Sequence, residues 1–121
     1  MEPAVIVAAP LGVDATLVVL HGTIGVLDAG DVTAALANVA REGVRRAVVD
    51  ATEADVADPD VLTAIYDLAR ALRARDGMLA LVAPARGELR RIVRSTGLEA
   101  AFTTYDTRRA ALDDLNLPDP I

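Results

Sequence analysis

Short β-branched runs alternate with stretches of helical periodicity along almost the whole chain, and this alternation limits the fold more than any single motif does. Residues 4–8 (AVIVA) and 16–20 (TLVVL) are two such runs separated by turn-forming residues 10–14, which predicts a β-hairpin. Asp28 stands three residues before Asp31, a good N-cap with a second acid in the first turn. Val32, Leu36, Val39 and Ala40 follow at helical spacing, with Gly43 as the stop. Residues 46–51 (RAVVDA) read as a buried central strand ending in an acid, and an acidic loop follows it.

Asp58-Pro59 is a strong helix start, with Asp as N-cap and Pro at the first helical position, where its missing N–H costs nothing. Val61, Leu62, Ile65, Leu68, Ala69 and Leu72 form the apolar stripe of this helix, and Gly77 closes it. Residues 78–83 (MLALVA) predict another buried strand, stopped by Pro84. Leu89, Ile92, Val93 and Thr96 give a third helix ended by Gly97, and residues 101–105 (AFTTY) a last short strand. Asp106 is placed to cap a final helix with Ala111, Leu112 and Leu115 inward. The predicted order is ββαβαβαβα. Strands alternating with helices require βαβ crossovers, so the chain is expected to be α/β, with helices packed against a mainly parallel mixed sheet and an antiparallel N-terminal hairpin at its edge. A single domain over 1–121 is expected, with a core of about 4–115 and a loose tail at 116–121.

Hydrophobic residues make up 53% of the chain, enough for a packed core, but aromatics only 2%, so that core is built from Ala, Val, Leu and Ile. Cysteine is absent, which removes disulfides, thiolate metal sites and cysteine nucleophiles together. Lysine is absent as well, so all 12 basic residues are arginine. The net charge of −6 argues against general nucleic-acid binding, where phosphate neutralisation supplies most of the affinity. No apolar run approaches the ~20 residues of a membrane span, and MEPAVIVAAP has an acid and a proline where a signal peptide has a basic region. A cytoplasmic protein is expected.

Several constellations of residues bear on chemistry. Asp50, Glu53, Asp55, Asp58 and Asp60 stand together without a base, but their spacing matches no calcium loop, and a solvated acidic rim beside a partner surface is the simpler expectation. His21 has no marked nucleophile or orienting carboxylate, and HGTIG has neither the spacing nor the lysine of a phosphate loop. A receiver domain needs an acidic pair after its first strand and a lysine near its last, and both are missing. Arg86, Arg90 and Arg94 recur every fourth residue, which puts them on one helix face, either solvated or meeting an acidic partner such as another copy's acidic loop in a homodimer. No acid/base or nucleophile set assembles, no cofactor is indicated, and a non-enzymatic role is expected.

Three strings in register carry a resemblance. VVDATEADVADPDVL (48–62) resembles "LDLSGVTFIDSSGL", LHGTIGVLDAGDVTAAL (20–36) resembles "LRGELDLATAPALRAAL", and RSTGLEAAFTTYDT (94–107) resembles "ELTGLDRLFPVYDS". The strings they resemble are those of the STAS family, the sulfate transporter and anti-sigma factor antagonist domain, and the resemblance covers residues 4–115. Asp50 falls on the strand-end Asp, Thr52 on the Ser after it, Asp58 on the Asp of DSSGL, Pro59 and Asp60 on its two serines, Val61 on its Gly and Leu62 on its Leu.

In the anti-sigma factor antagonists of this family the second of those serines is phosphorylated by a GHKL-type kinase that is also the anti-sigma factor, and phosphorylation breaks the complex. The resemblance therefore implies a partner-switching module that binds such a kinase through Asp58, Pro59, Asp60, Val61 and Leu62, with Thr23 and Gly25 as the neighbouring loop. Three departures bear on the switch. Asp60 has no hydroxyl, Val61 replaces the Gly, and Gly25 replaces the Asp of the family's "GELD" loop. Asp60 is either a partial phosphoserine mimic or simply a good first-turn acid at a drifted site. Thr52 and Thr63 are the hydroxyls to which a switch would have moved. The alternative implied role is a scaffold or accessory subunit, for example of a lipid-transport ATPase or a sensory complex.

Overall fold

The computed structural model describes residues 2–56 and 58–120, so the ends of the expected 1–121 span and position 57 of the expected acidic loop lie outside it. The elements run β1 (Val5–Pro10), β2 (Ala15–Ile24), α1 (Ala29–Arg41), β3 (Arg46–Val56), α2 (Pro59–Arg73), β4 (Met78–Val82), α3 (Glu88–Thr96), a 3-10 turn (Leu98–Ala100), β5 (Thr103–Tyr105) and α4 (Arg108–Leu115). This is the ββαβαβαβα order that the alternation of patterns predicts. The five strands form one sheet in the order β1-β2-β3-β4-β5, with β1 antiparallel to β2 and every other pair parallel.

Pleating sends alternate residues of each strand to opposite faces. Val18, Leu20, Ala47, Val49, Leu79 and Leu81 join Val32 and Leu36 of α1, Ile65 and Leu68 of α2, and Val93 of α3 in the larger core. Leu17, Val48, Ala80 and Val82 face the other way and are covered by Ala111 and Leu112 of α4. Strands covered on both faces must be apolar at consecutive positions, which is why VVD and MLALV show no alternation. At the entry to β4 the backbones of residues 45 and 77 nearly touch. A Cβ on Gly77 would lie 1.9 Å from the Arg45 carbonyl oxygen, so only glycine fits there.

The structure corrects several local expectations. Residues 52–56 are strand, not loop. β3 carries one extra residue where Val19 pairs with Asp50 but His21 pairs with Glu53. This β-bulge moves the inward side from odd to even positions, so Ala51 before it and Ala54 and Val56 after it all meet the larger core. The Asp50 carboxylate holds the bulge by accepting the Thr52 N–H at 2.9 Å and the Thr52 hydroxyl.

The caps differ too. Asp106 does not cap α4: Thr107 does, its hydroxyl accepting the Ala110 N–H at 3.1 Å, while Asp106 pairs with Arg90 at 2.8 Å. After α2 the left-handed residue is Asp76, at φ 59°, rather than Gly77. The last strand begins at Thr103, because residues 98–100 wind into the 3-10 turn. Beyond α4, Leu117 packs against the smaller core.

Candidate functional site

Ile24 pairs with Val56 at the far ends of β2 and β3, so the chain leaves the sheet twice at one place. One exit is the loop over residues 25–28, and the other is the start of α2. Crevices outside the carboxyl ends of parallel strands are where α/β sheets ordinarily present their binding surfaces.

The first exit is a closed turn. The Asp28 carboxylate accepts the Gly25 N–H at 2.9 Å, and the Asp28 N–H donates to the Gly25 carbonyl at 3.0 Å. Asp28 was expected to cap α1, but it spends its side chain on this turn and makes no side-chain cap bond to the helix. The reciprocal bonds lift the two residues between them into solvent: Val26 is 74% exposed and Leu27 93%. An apolar pair held out on a hydrogen-bonded turn costs solvation and gains nothing within the chain.

The second exit is capped as predicted. Asp58 is extended, at φ −116° and ψ 124°, and its carboxylate accepts the Asp60 N–H at 2.8 Å. Pro59 opens the helix, and the Val61 N–H donates to the Asp58 carbonyl at 3.2 Å. Asp58 is thereby buried, and Pro59 and Asp60 are exposed. The Asp60 carboxylate sits in the first turn, where the helix dipole stabilises a negative charge by about 0.3–1 kcal/mol.

The seven candidate contact residues thus separate by burial. Pro59 and Asp60 face solvent, and Thr23 and Gly25 are half-buried beside them. Val61 and Leu62 turn inward at 0% and 5% exposure and belong to the larger core, so neither side chain is presented. The core explains the valine where the family motif has glycine: here the position carries packing. Thr63 is exposed, its hydroxyl 3.5 Å from the Pro59 carbonyl, whereas the Thr52 hydroxyl is engaged by Asp50.

Beside this surface, Glu2, Gly22, Thr23, Thr52, Glu53 and Asp55 line an open cleft of about 410 Å³. Of the five acids expected to form a solvated rim, Glu53, Asp55 and Asp60 are exposed, whereas Asp50 and Asp58 are buried with their carboxylates hydrogen-bonded within the chain. Among the described residues, no group of three His, Cys, Asp or Glu side chains is arranged to hold a metal ion. His21 lies exposed on β2 with its Nδ1 3.6 Å from a Glu2 carboxylate oxygen.

The expected arginine stripe does not form on α3, because Arg86 lies in the turn before the helix, which begins at Glu88. Arg90 donates to Asp106 and to the Ala83 carbonyl at 3.1 Å, and Arg94 reaches the Ala85 carbonyl at 3.5 Å. These bonds hold α3 on the β4–α3 and β5–α4 connections. Sequence reasoning missed two features altogether. One is Val26-Leu27, legible only as an apolar pair that fits neither the strand period before it nor the helix period after it. The other is the tie between Asp50 and Arg108, 2.7 Å apart across 58 positions. The hydrogen bond to Asp50 holds the Arg108 guanidinium above its ordinary value, against the opposing effect of burial. No local signal marks that pair.

Comparison with known proteins follows the same lines. The STAS domain profile matches residues 7–111. No curated protein matches the chain significantly. An anti-sigma factor antagonist from Mycobacterium paratuberculosis superposes with a TM-score of 0.81 at 20% identity, covering 94% of this chain and 95% of that one. The unphosphorylated form of the anti-sigma factor antagonist SpoIIAA gives a TM-score of 0.74 at 14% identity over 93% of this chain and 98% of that one. The phosphorylated form of SpoIIAA, the Bacillus cell fate determinant, gives 0.73 at 15% identity over 92% and 99%. At these identities the superpositions establish the fold.

Proposed function

The chain belongs to the STAS domain family, and on that premise we propose that it is a non-catalytic, cytoplasmic partner-binding module of the anti-sigma factor antagonist type. Its contact surface is the start of α2 with the adjoining 25–28 turn, and its partner is a GHKL-type anti-sigma factor kinase. One observation carries this reading. Two apolar side chains, Val26 and Leu27, and one carboxylate, Asp60, are held out at the same end of the sheet, on segments closed by their own side-chain hydrogen bonds. Pre-formed turns lose little entropy on binding, and an apolar pair that the fold leaves exposed is area a partner can bury.

With no hydroxyl at position 60, the module cannot form a serine-type phosphate ester there. It is a constitutive component of the switch. The −1 charge that Asp60 keeps at the helix start is smaller than that of a phosphoserine, about −1.5 to −2, so any mimicry is partial.

Affinity purification of native complexes, followed by incubation with the recovered partner and labelled ATP, tests the reading. An anti-sigma kinase should co-elute, and position 60 should stay unlabelled. Asp60→Ser should gain label at that position. Recovery of a transporter ATPase instead would favour the scaffold reading, and label on Thr52 or Thr63 would place the switch elsewhere.

A further inference from the structure

We propose that the outer edge of β1 pairs with the β1 edge of a second copy, joining two sheets into one through a two-fold axis at Val7. The inference rests on hydrogen-bond phase, charge and exposure, and is independent of the partner surface at α2.

The phase follows from the hairpin. The Leu11 N–H donates to the Ala15 carbonyl at 2.8 Å, and β1 continues from there in register, Ala9 opposite Leu17, Val7 opposite Val19 and Val5 opposite His21. Hydrogen-bonded pairs alternate along an antiparallel ladder, so the odd residues of β1 bond to β2. The N–H and C=O groups of Ile6 and Ala8 therefore point away from the sheet. Pro10 falls in the same outward phase, where its missing N–H removes no bond to β2.

The edge is also unguarded. Residues 4–10 carry no charge, on a chain whose net charge is −6. Proteins ordinarily blunt such edges with lysine, proline, bulges or very short strands, and here Pro10 does so only at the last residue of β1. The opposite edge follows that rule, since β5 is only three residues long, whereas β1 has six. Val5 and Val7 are 44% and 43% exposed, on the same face of the sheet as α4 but on an edge strand that leaves them largely uncovered.

A second copy fits this edge better than anything charged. Two β1 strands running antiparallel about Val7 set Ile6 against Ala8 of the other copy, each pair exchanging both backbone bonds. Ala4 then lies opposite Pro10, whose carbonyl accepts although it has no N–H to return. Val7 meets Val7 at the axis, in a non-hydrogen-bonded pair where side chains approach most closely. Elsewhere two copies of −6 repel each other, and along this edge no like charges meet. The contact is isologous and closes at two copies, leaving a β5 edge at each end.

An interface this small is weak, so sedimentation velocity across protein concentrations from about 1 μM to about 1 mM is the direct measurement. The sedimentation coefficient should rise from monomer toward dimer, and amide exchange at Ile6 and Ala8 should slow in step. Val7→Lys places two like charges at the axis and should hold the protein monomeric. Ala8→Pro removes an outward N–H and should weaken the dimer at least about tenfold. Val13→Lys, at a fully exposed turn outside the pairing, serves as the control and should change nothing. A monomer at every concentration, or a dimer indifferent to both edge variants, overturns the proposal.

Discussion

Asp58 gives its carboxylate to the Asp60 N–H, and an alanine there leaves a first-turn donor of α2 without a partner. Asp58→Ala should cost about 0.5–2 kcal/mol, measured as a lower urea midpoint at unchanged slope. Asp60, two positions on, is exposed and bonds to nothing through its side chain among the described contacts. Its substitution should therefore leave stability nearly unchanged and register only in partner chemistry. The two acids look alike in the string DPD, and their division of labour comes from backbone geometry: one is extended and faces the helix end, the other is already helical and faces water.

Polar ties fasten α4 to two strands, and on the β3 side Arg46 also donates to the Leu115 carbonyl at 2.9 Å. α4 is held to β3 by Arg108 and Asp50, whose side chains are 23% and 6% exposed. Arg108→Leu strips the guanidinium from a buried carboxylate that still has Thr52. Because Arg108 is partly solvated, the cost should be about 1–3 kcal/mol rather than that of a fully buried pair, read by urea denaturation. The Asp50→Asn change combined with Arg108→Leu should recover part of that loss.

The second tie joins β5 to α4, where the Tyr105 hydroxyl donates to the Asp114 carboxylate. Burial, then that hydrogen bond and the neighbouring charge, push Tyr105 from 10.0 up to about 12. A raised folded-state value means that the unfolded chain loses its phenol proton first. The tie is fully present below pH 10 and is lost as pH rises from 10 toward 12. Alkaline titration of phenolate absorbance should show a phenol ionising well above the ordinary value, at about 12, and Asp114→Asn should bring it down toward that ordinary value.

At the scale of the whole molecule, the exposed turn and the fold are separable. Val26→Ser with Leu27→Ser removes apolar area that is mostly exposed, so stability should move by no more than about 0.5 kcal/mol. Affinity for the recovered partner should fall at least about tenfold. A loss of stability equal to the loss of affinity would show that the turn supports the fold rather than binding.

The residue order by itself determined the element order, the mixed sheet, the Asp58-Pro59 start of α2 and the Gly97 end of α3. All of these are local: apolar periodicity records which face of each element is covered, and a cap acts within one turn of its helix. The alternation of Ala54 and Val56 with Glu53 and Asp55 was also present in the string, though the acids masked it as a loop. Only the tertiary structure decided that Val61 and Leu62 pack inward while Val26 and Leu27 stand out. It alone brought Asp50 to Arg108 and took Arg90 out of the solvated face. Those outcomes depend on which residues meet across the bulge and the crossovers, and no signal within a few residues of a side chain encodes a partner tens of positions away.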